Sequence, residues 1–228
     1  MILSPGSIDL VIFDCDGVLV DSEVISARVI VEMLANEGVD IEPDYVYKHF
    51  LGRQFSSVGE TVLKNFSIDL PSSFESDYRE KLVLAFKQEL RTTTGIKDVL
   101  SNLCVRSCVA TSSSRLRAQE SLKLVGLINY FGDNIFTSSE VKFGKPAPDL
   151  FLLASKRMQV EPDKCLVIED SVTGISAATA AGMNVWRYTG ASHFGFGVGG
   201  VADQFSKVSI FDEWGKFFEM VPALKRQI

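Results

Sequence analysis

The chain has 228 residues, 46% of them hydrophobic and 23% charged, with a formal net charge of −6. That is long enough for one large α/β domain, or for a core domain with a smaller companion, and the composition excludes disordered and fibrous classes. An acidic balance argues against nucleic acid as a partner, and no apolar run is long enough to span a membrane. The four cysteines, Cys15, Cys104, Cys108 and Cys165, show no paired metal-ligand spacing, and three lie in or beside apolar, strand-like runs. Free thiols and a reducing cytoplasm are the expectation, and Met1 to Ser4 show no leader pattern.

Residues 8–13 read as a strand that runs into Asp14-Cys15-Asp16-Gly17-Val18-Leu19-Val20-Asp21-Ser22. Strand alternation points Asp14 and Asp16 one way and Cys15 the other. Two anions that close repel, and one pKa rises unless a cation sits between them. The pair suits a Mg²⁺ site in which one carboxylate is a nucleophile and the other a proton carrier. A solvated strand-end turn would use the same residue types.

From Ser22 to about Thr92 the pattern is helical. Val24, Ala27, Ile30, Val31 and Leu34 form one stripe, ended by Gly38. Val58, Val62 and Phe66 form a second; Phe74, Tyr78, Leu82, Ala85 and Phe86 form a third. This spacing predicts a small helical domain over 22–91, inserted into an α/β core made of 1–21 and 92–228. Its hinges are predicted at 19–22 and 91–94.

The remaining strands are predicted at 105–110, 134–136, 165–168 and 184–188, with helical spacing between them. Such alternation predicts a Rossmann-like, doubly wound parallel sheet. The second strand ends in Thr111-Ser112-Ser113-Ser114 before a helix at 115–124. Thr111 and Ser112 are candidates for phosphate contact, while Ser113 or Ser114 would serve as an ordinary helix cap. Gly144-Lys145-Pro146-Ala147-Pro148-Asp149 sets a lysine in a proline-stiffened loop, able to neutralise a carboxylate and a phosphate. Leu166-Val167-Ile168-Glu169-Asp170-Ser171 repeats the strand-end carboxylate before a small-residue helix at 174–182. Acids there could also complement the helix dipole.

In a doubly wound sheet the carboxyl ends of the strands converge on one crevice, so Asp14, Asp16, Thr111, Lys145, Glu169 and Asp170 are predicted to meet. In this order the four motifs, from Asp14-Cys15-Asp16-Gly17 to Glu169-Asp170-Ser171, resemble the haloacid dehalogenase superfamily. The inserted helices resemble its β-phosphoglucomutase-like and phosphoglycolate phosphatase-like branch, in which they form a cap. The resemblance implies Asp14 as the nucleophile that becomes an aspartyl phosphate, and Asp16 as general acid and then base. It implies a Mg²⁺ held by Asp14, the main-chain carbonyl of Asp16, Asp170 and, as an additional or outer ligand, Glu169. Thr111, Ser112 and Lys145 would bind the phosphoryl oxygens, as positioning and charge neutralisation of a transferring phosphoryl group require.

Relatives that cleave carbon–halogen bonds usually lack the second aspartate, which is present here as Asp16. Phosphonate-cleaving relatives carry a lysine on the first cap helix, and 23–36 holds none. Hexose phosphate mutases of this branch have a histidine where this chain has Ser26. The resemblance therefore implies a phosphatase, with a mutase or a non-catalytic binding module as the alternatives. Gly52 and Arg53, between the first two predicted cap helices, are the expected contacts to the remote part of a phosphorylated sugar or sugar acid. His49 and His193 are expected to pack or cap locally, and 192–200 to form a mobile loop near the crevice. The expected partner is a small phosphate ester, and the expected state a monomer or weak dimer.

Overall fold

The computed structural model describes residues 8–50, 55–196 and 208–227. Its six strands are β1 Leu10–Phe13, β2 Arg106–Thr111, β3 Ile135–Thr137, β4 Cys165–Glu169, β5 Asn184–Tyr188 and β6 Ser209–Phe211. They form one parallel sheet in the order β3-β2-β1-β4-β5-β6. Five match predicted strands, with ends moved by no more than two residues. β6 is unpredicted, because its three residues carry an exposed Ile210 and give no apolar run.

Between β1 and the next core element come α1 Glu23–Asn36, α2 Pro43–His49, α3 Ser56–Phe66 and α4 Phe74–Glu89. The three predicted stripes fall on α1, α3 and α4. α2 escapes the sequence reading because its seven residues are too few to show a helical period. The two predicted hinges lie side by side: Val20 and Thr92 form an antiparallel bridge. Asp21 N donates to Arg91 O at 3.0 Å, and Thr93 N to Leu19 O at 3.2 Å. The insertion thus leaves and re-enters through one hydrogen-bonded root.

α5 Ile96–Asn102, α6 Arg115–Leu124 and α7 Ile128–Phe131 cover one sheet face; α8 Asp149–Met158 and α9 Val172–Ala180 cover the other; α10 Phe217–Met220 returns to the first. All four residues of β1 are buried, since both faces are covered and alternation has no solvent side to serve. Leu10 and Ile12 pack towards Leu150 and Phe151 of α8. Val11 and Phe13 join Ile96, Leu122 and Phe131, in a cluster that continues through Leu19 into Leu34 and Phe86 of the insertion. Each such side chain contributes roughly 1.5–3 kcal/mol on burial. The continuous cluster holds the helices over the carboxyl end of the sheet. β1 sits between β2 and β4, so the connections diverge on either side of it and open the crevice where such sheets bind ligands.

Candidate active site

Asp14 extends β1 by one step, its N–H donating to Ile168 O at 2.9 Å. The chain then turns: Leu19 N and Val20 N both donate to Cys15 O, at 2.9 and 3.0 Å, and Gly17 takes φ +79°. A side chain at Gly17 would collide with the Asp170 carboxylate, whose Oδ2 would lie 2.0 Å from its Cβ. The turn, not strand alternation, aims Asp16. Both aspartates line one cavity of about 230 Å³, but instead of one cation between them each has its own.

Asp14 pairs with Lys145. From the loop before α8, Lys145 Nζ donates to Asp14 Oδ1 at 2.6 Å, to Glu169 Oε1 at 2.6 Å and to Ala110 O at 3.0 Å. Burial opposes its charge, yet the Asp14 and Glu169 carboxylates outweigh burial and hold the ammonium well above its usual range. Glu169 closes the β4 end, its Oε2 accepting from Ser171 N and Ser171 Oγ, both at 2.9 Å. Burial, with Glu169 close by, raises Asp14, and burial with Glu169 and Asp14 raises Asp170.

Asp14, Glu169 and Asp170 are all buried and bring one carboxylate oxygen each within 4.8 Å of one another. Lys145 pairs with Asp14 and Glu169, and Arg187 Nε donates to the main-chain oxygen of Asp170 at 3.2 Å, so among the described residues three carboxylates, when ionised, outnumber the two cations beside them. Hard oxygen donors with that deficit fit Mg²⁺ in both charge and ligand type.

Asp16 is held by three donors: Ser22 Oγ at 2.7 Å and Arg117 Nη2 at 2.9 Å on Oδ1, and Ser113 Oγ at 2.6 Å on Oδ2. Burial pushes its pKa up, but Arg117 and the hydroxyls prevail and hold it low. Thr111 ends β2, 1% exposed, with Oγ1 accepting from Ser113 N at 3.1 Å. Ser114 is the cap of α6, accepting from Arg117 N, which leaves Thr111 and Ser112 on the cavity wall. The core residues predicted to meet do meet. Gly52 and Arg53 lie outside the described residues.

The sequence reading misses Arg117, Glu23 and the hydroxyls of Ser22 and Ser113 as neighbours of the site. Arg117 precedes the buried Ala118 on α6, and neither Arg117 nor Glu23 belongs to any of the four strand-end motifs. Two correlates were available: Arg117 stands close to the Thr111 strand end, and Glu23 opens the helix leaving the Asp14 turn. Residues 192–196 form a 3₁₀ turn where a mobile loop was expected, with Ser192 N donating to Asp21 Oδ1 at 3.1 Å. On that turn His193 is fully buried, its Nε2 3.4 Å from Asp170 Oδ2 but not aligned as a hydrogen bond. Burial drives it down to about 4, so it is neutral. His49 packs on Tyr45, with ring centroids 4.2 Å apart.

A family model of haloacid dehalogenase-like hydrolases matches residues 8–182, a stretch that holds every motif above. The 6-phosphogluconate phosphatase of Escherichia coli (strain K12) is 32% identical, over 82% of this chain and 85% of that protein. The fructose-1-phosphate phosphatase of the same bacterium is 30% identical, over 76% of this chain and 92% of that protein. A conserved haloacid dehalogenase-like protein of Agrobacterium tumefaciens superposes with a TM-score of 0.79 at 32% identity, covering 95% of this chain and 98% of that one. A family model over residues 8–182 and a relative 32% identical over 82% of the chain place it in one family: the chain belongs to the haloacid dehalogenase-like hydrolases.

Proposed function

We propose that the chain is a Mg²⁺-dependent phosphatase that hydrolyses a small phosphorylated metabolite, of the sugar phosphate or sugar-acid phosphate class, through an aspartyl phosphate on Asp14. The observation that carries this reading is the buried Asp14–Lys145–Glu169 chain of two 2.6 Å contacts facing the same cavity as Asp16. The names of the two Escherichia coli relatives support phosphorylated sugars and sugar acids as the substrate class.

Asp14, the main-chain carbonyl of Asp16, Asp170 and Glu169 would hold the Mg²⁺, whose chemistry is to neutralise phosphoryl and carboxylate charge. Asp14 attacks phosphorus in line, forming a P–Oδ bond as the bond from phosphorus to the ester oxygen breaks. Lys145 neutralises charge on the transferring group, and Thr111 and Ser112 hold its oxygens. Asp16, ionised in the free protein, takes up the proton of the phosphate monoanion as the substrate binds and gives it to the leaving alcohol. Water then attacks phosphorus, Asp16 takes back a proton, and orthophosphate leaves with Asp14 regenerated. The protons balance over the cycle. In this reading 1–21 and 92–228 form the catalytic core, and 22–91 a cap that selects the substrate and keeps bulk water out. Ser26, a small hydroxyl on α1 bonded to Arg117, offers no imidazole to manage a second phosphoryl acceptor, which favours water over a sugar.

Asp14→Asn tests the reading, because an amide cannot form the acyl phosphate. With Mg²⁺ and a panel of sugar phosphates, sugar-acid phosphates and nucleotides, phosphate release should fall below about a hundredth of wild type while the circular dichroism is unchanged. A variant retaining more than that would refute the nucleophile. A wild-type preference for nucleotides would refute the substrate class alone.

A further inference from the structure

We infer that Arg117 is the positioning residue that sets Asp16 for proton transfer and ties that setting to the placement of the helical insertion. This rests on the reading of Asp16 as the acid–base group.

Arg117 belongs to the core, in the first turn of α6, and its side chain is largely buried. Its Nη2 donates both to Asp16 Oδ1 at 2.9 Å and to Ser26 Oγ of α1 at 3.4 Å. Its guanidinium carbon lies 5.4 Å from the centre of the Phe86 ring of α4. One planar cation therefore touches the Asp14–Val20 turn, the first insertion helix and the last. Those contacts hold together only while α1 and α4 stand over the crevice. Asp16 Oδ1 takes its other hydrogen bond from Ser22, the residue that opens α1, so the orientation of this carboxylate depends twice on where the insertion sits.

A buried arginine serving stability alone has its donors paired. Arg117 leaves Nε buried without a partner, and leaving such a donor unmade is costly. The side chain gives up that bond yet keeps its Nη2 on Asp16 Oδ1 and its face on Phe86. Guanidinium holds its charge at any working pH and accepts no hydrogen bond. It can anchor the Asp16 carboxylate but not replace it as a proton carrier.

The test is a series of aryl phosphates of increasing leaving-group basicity, from p-nitrophenyl to phenyl, with kcat/KM measured in Mg²⁺. Loss of a proton donor hurts the basic leaving groups most, so Asp16→Asn should steepen the dependence on leaving-group pKa. Arg117→Met keeps an unbranched chain over Phe86 but removes the guanidinium and its Nη2 contact to Asp16. It should steepen the same dependence, lowering kcat/KM for phenyl phosphate by about tenfold or more and for p-nitrophenyl phosphate by less than about threefold. Added to Asp16→Asn, it should cost less than about twofold further, because two residues acting through one group do not add. Arg117→Lys should recover part of the phenyl phosphate rate, and it carries the same comparison if the methionine variant does not fold. A wild-type slope in Arg117→Met, or a full second loss on the Asp16→Asn background, overturns the inference alone. An unchanged slope in Asp16→Asn overturns both the acid–base reading and the inference built on it.

Discussion

Asp16 and Glu23 line the same cavity and respond to it in opposite directions. Asp16 has Arg117 and two hydroxyls to outweigh its burial, and it is held low. Burial pushes Glu23 up from 4.5 to about 8, and the Asp16 charge adds to the rise. Below about pH 4.5 Glu23 is protonated in both folded and unfolded chains, and its burial costs nothing in charge. Above about 8 it is ionised in both, and only the folded chain bears the cost. Stability should therefore fall as pH rises through this window, by about 1–3 kcal/mol after allowance for solvent at the cavity mouth. Glu23→Gln should remove that slope. In urea unfolding of the metal-free protein, the variant should match wild type at pH 4.5 and exceed it by pH 8.5. A difference that stays flat across this range would mean that Glu23 is not so perturbed.

At the scale of the element, α9 is shaped around Glu169. A Cβ at Gly174 would lie 1.7 Å from Glu169 Oε1 and 1.9 Å from its Cδ, and Glu169 cannot swing aside cheaply, because Lys145 and Ser171 hold it from both ends. Gly174→Ala should break the Lys145 contact, cost about 1–3 kcal/mol of stability and lower kcat by at least about tenfold, while Thr179→Ala, exposed on the same helix, should do neither. Thermal melts and phosphate release on the two variants check this; equal behaviour would refute the packing argument. The element scale also shows what was legible in the chain. Asp14, Thr111, Glu169 and Asp170 could be read because each stands where an apolar run stops, and Lys145 because prolines fence its loop. Arg117 could not, since on α6 nothing in the spacing separates an inward arginine from a solvated one. Strand alternation gave a shared cavity for Asp14 and Asp16 but the wrong cause, as the turn through Gly17 is invisible to a period of two.

Across the whole molecule, the parallel sheet and the helical insertion were legible because alternating strands and helices allow few topologies, and because three apolar stripes in succession break that rhythm. β6 and α2 were not, being too short to show any period. What the assembled fold creates, and no single segment contains, is a buried crowd of carboxylates: Asp14, Glu169 and Asp170 from two strand ends, three acids beside Lys145 and Arg187. Without a cation this crowding must oppose folding, and with one it becomes a binding site, so stability and metal affinity are linked through the same oxygens. Mg²⁺ at a hundredfold excess over its Kd should stabilise the folded chain by about 2.7 kcal/mol, raising Tm by roughly 5–10 °C for a chain of this size. Asp170→Asn should melt higher than wild type in chelator, because one of the crowded charges is gone, and should lose most of the Mg²⁺ increment together with turnover. Calorimetry of both proteins with and without Mg²⁺ distinguishes the outcomes. If Asp170→Asn melted lower in chelator and kept the full increment, the carboxylate would be a structural partner of Gly17 and His193, and the metal would have to sit elsewhere.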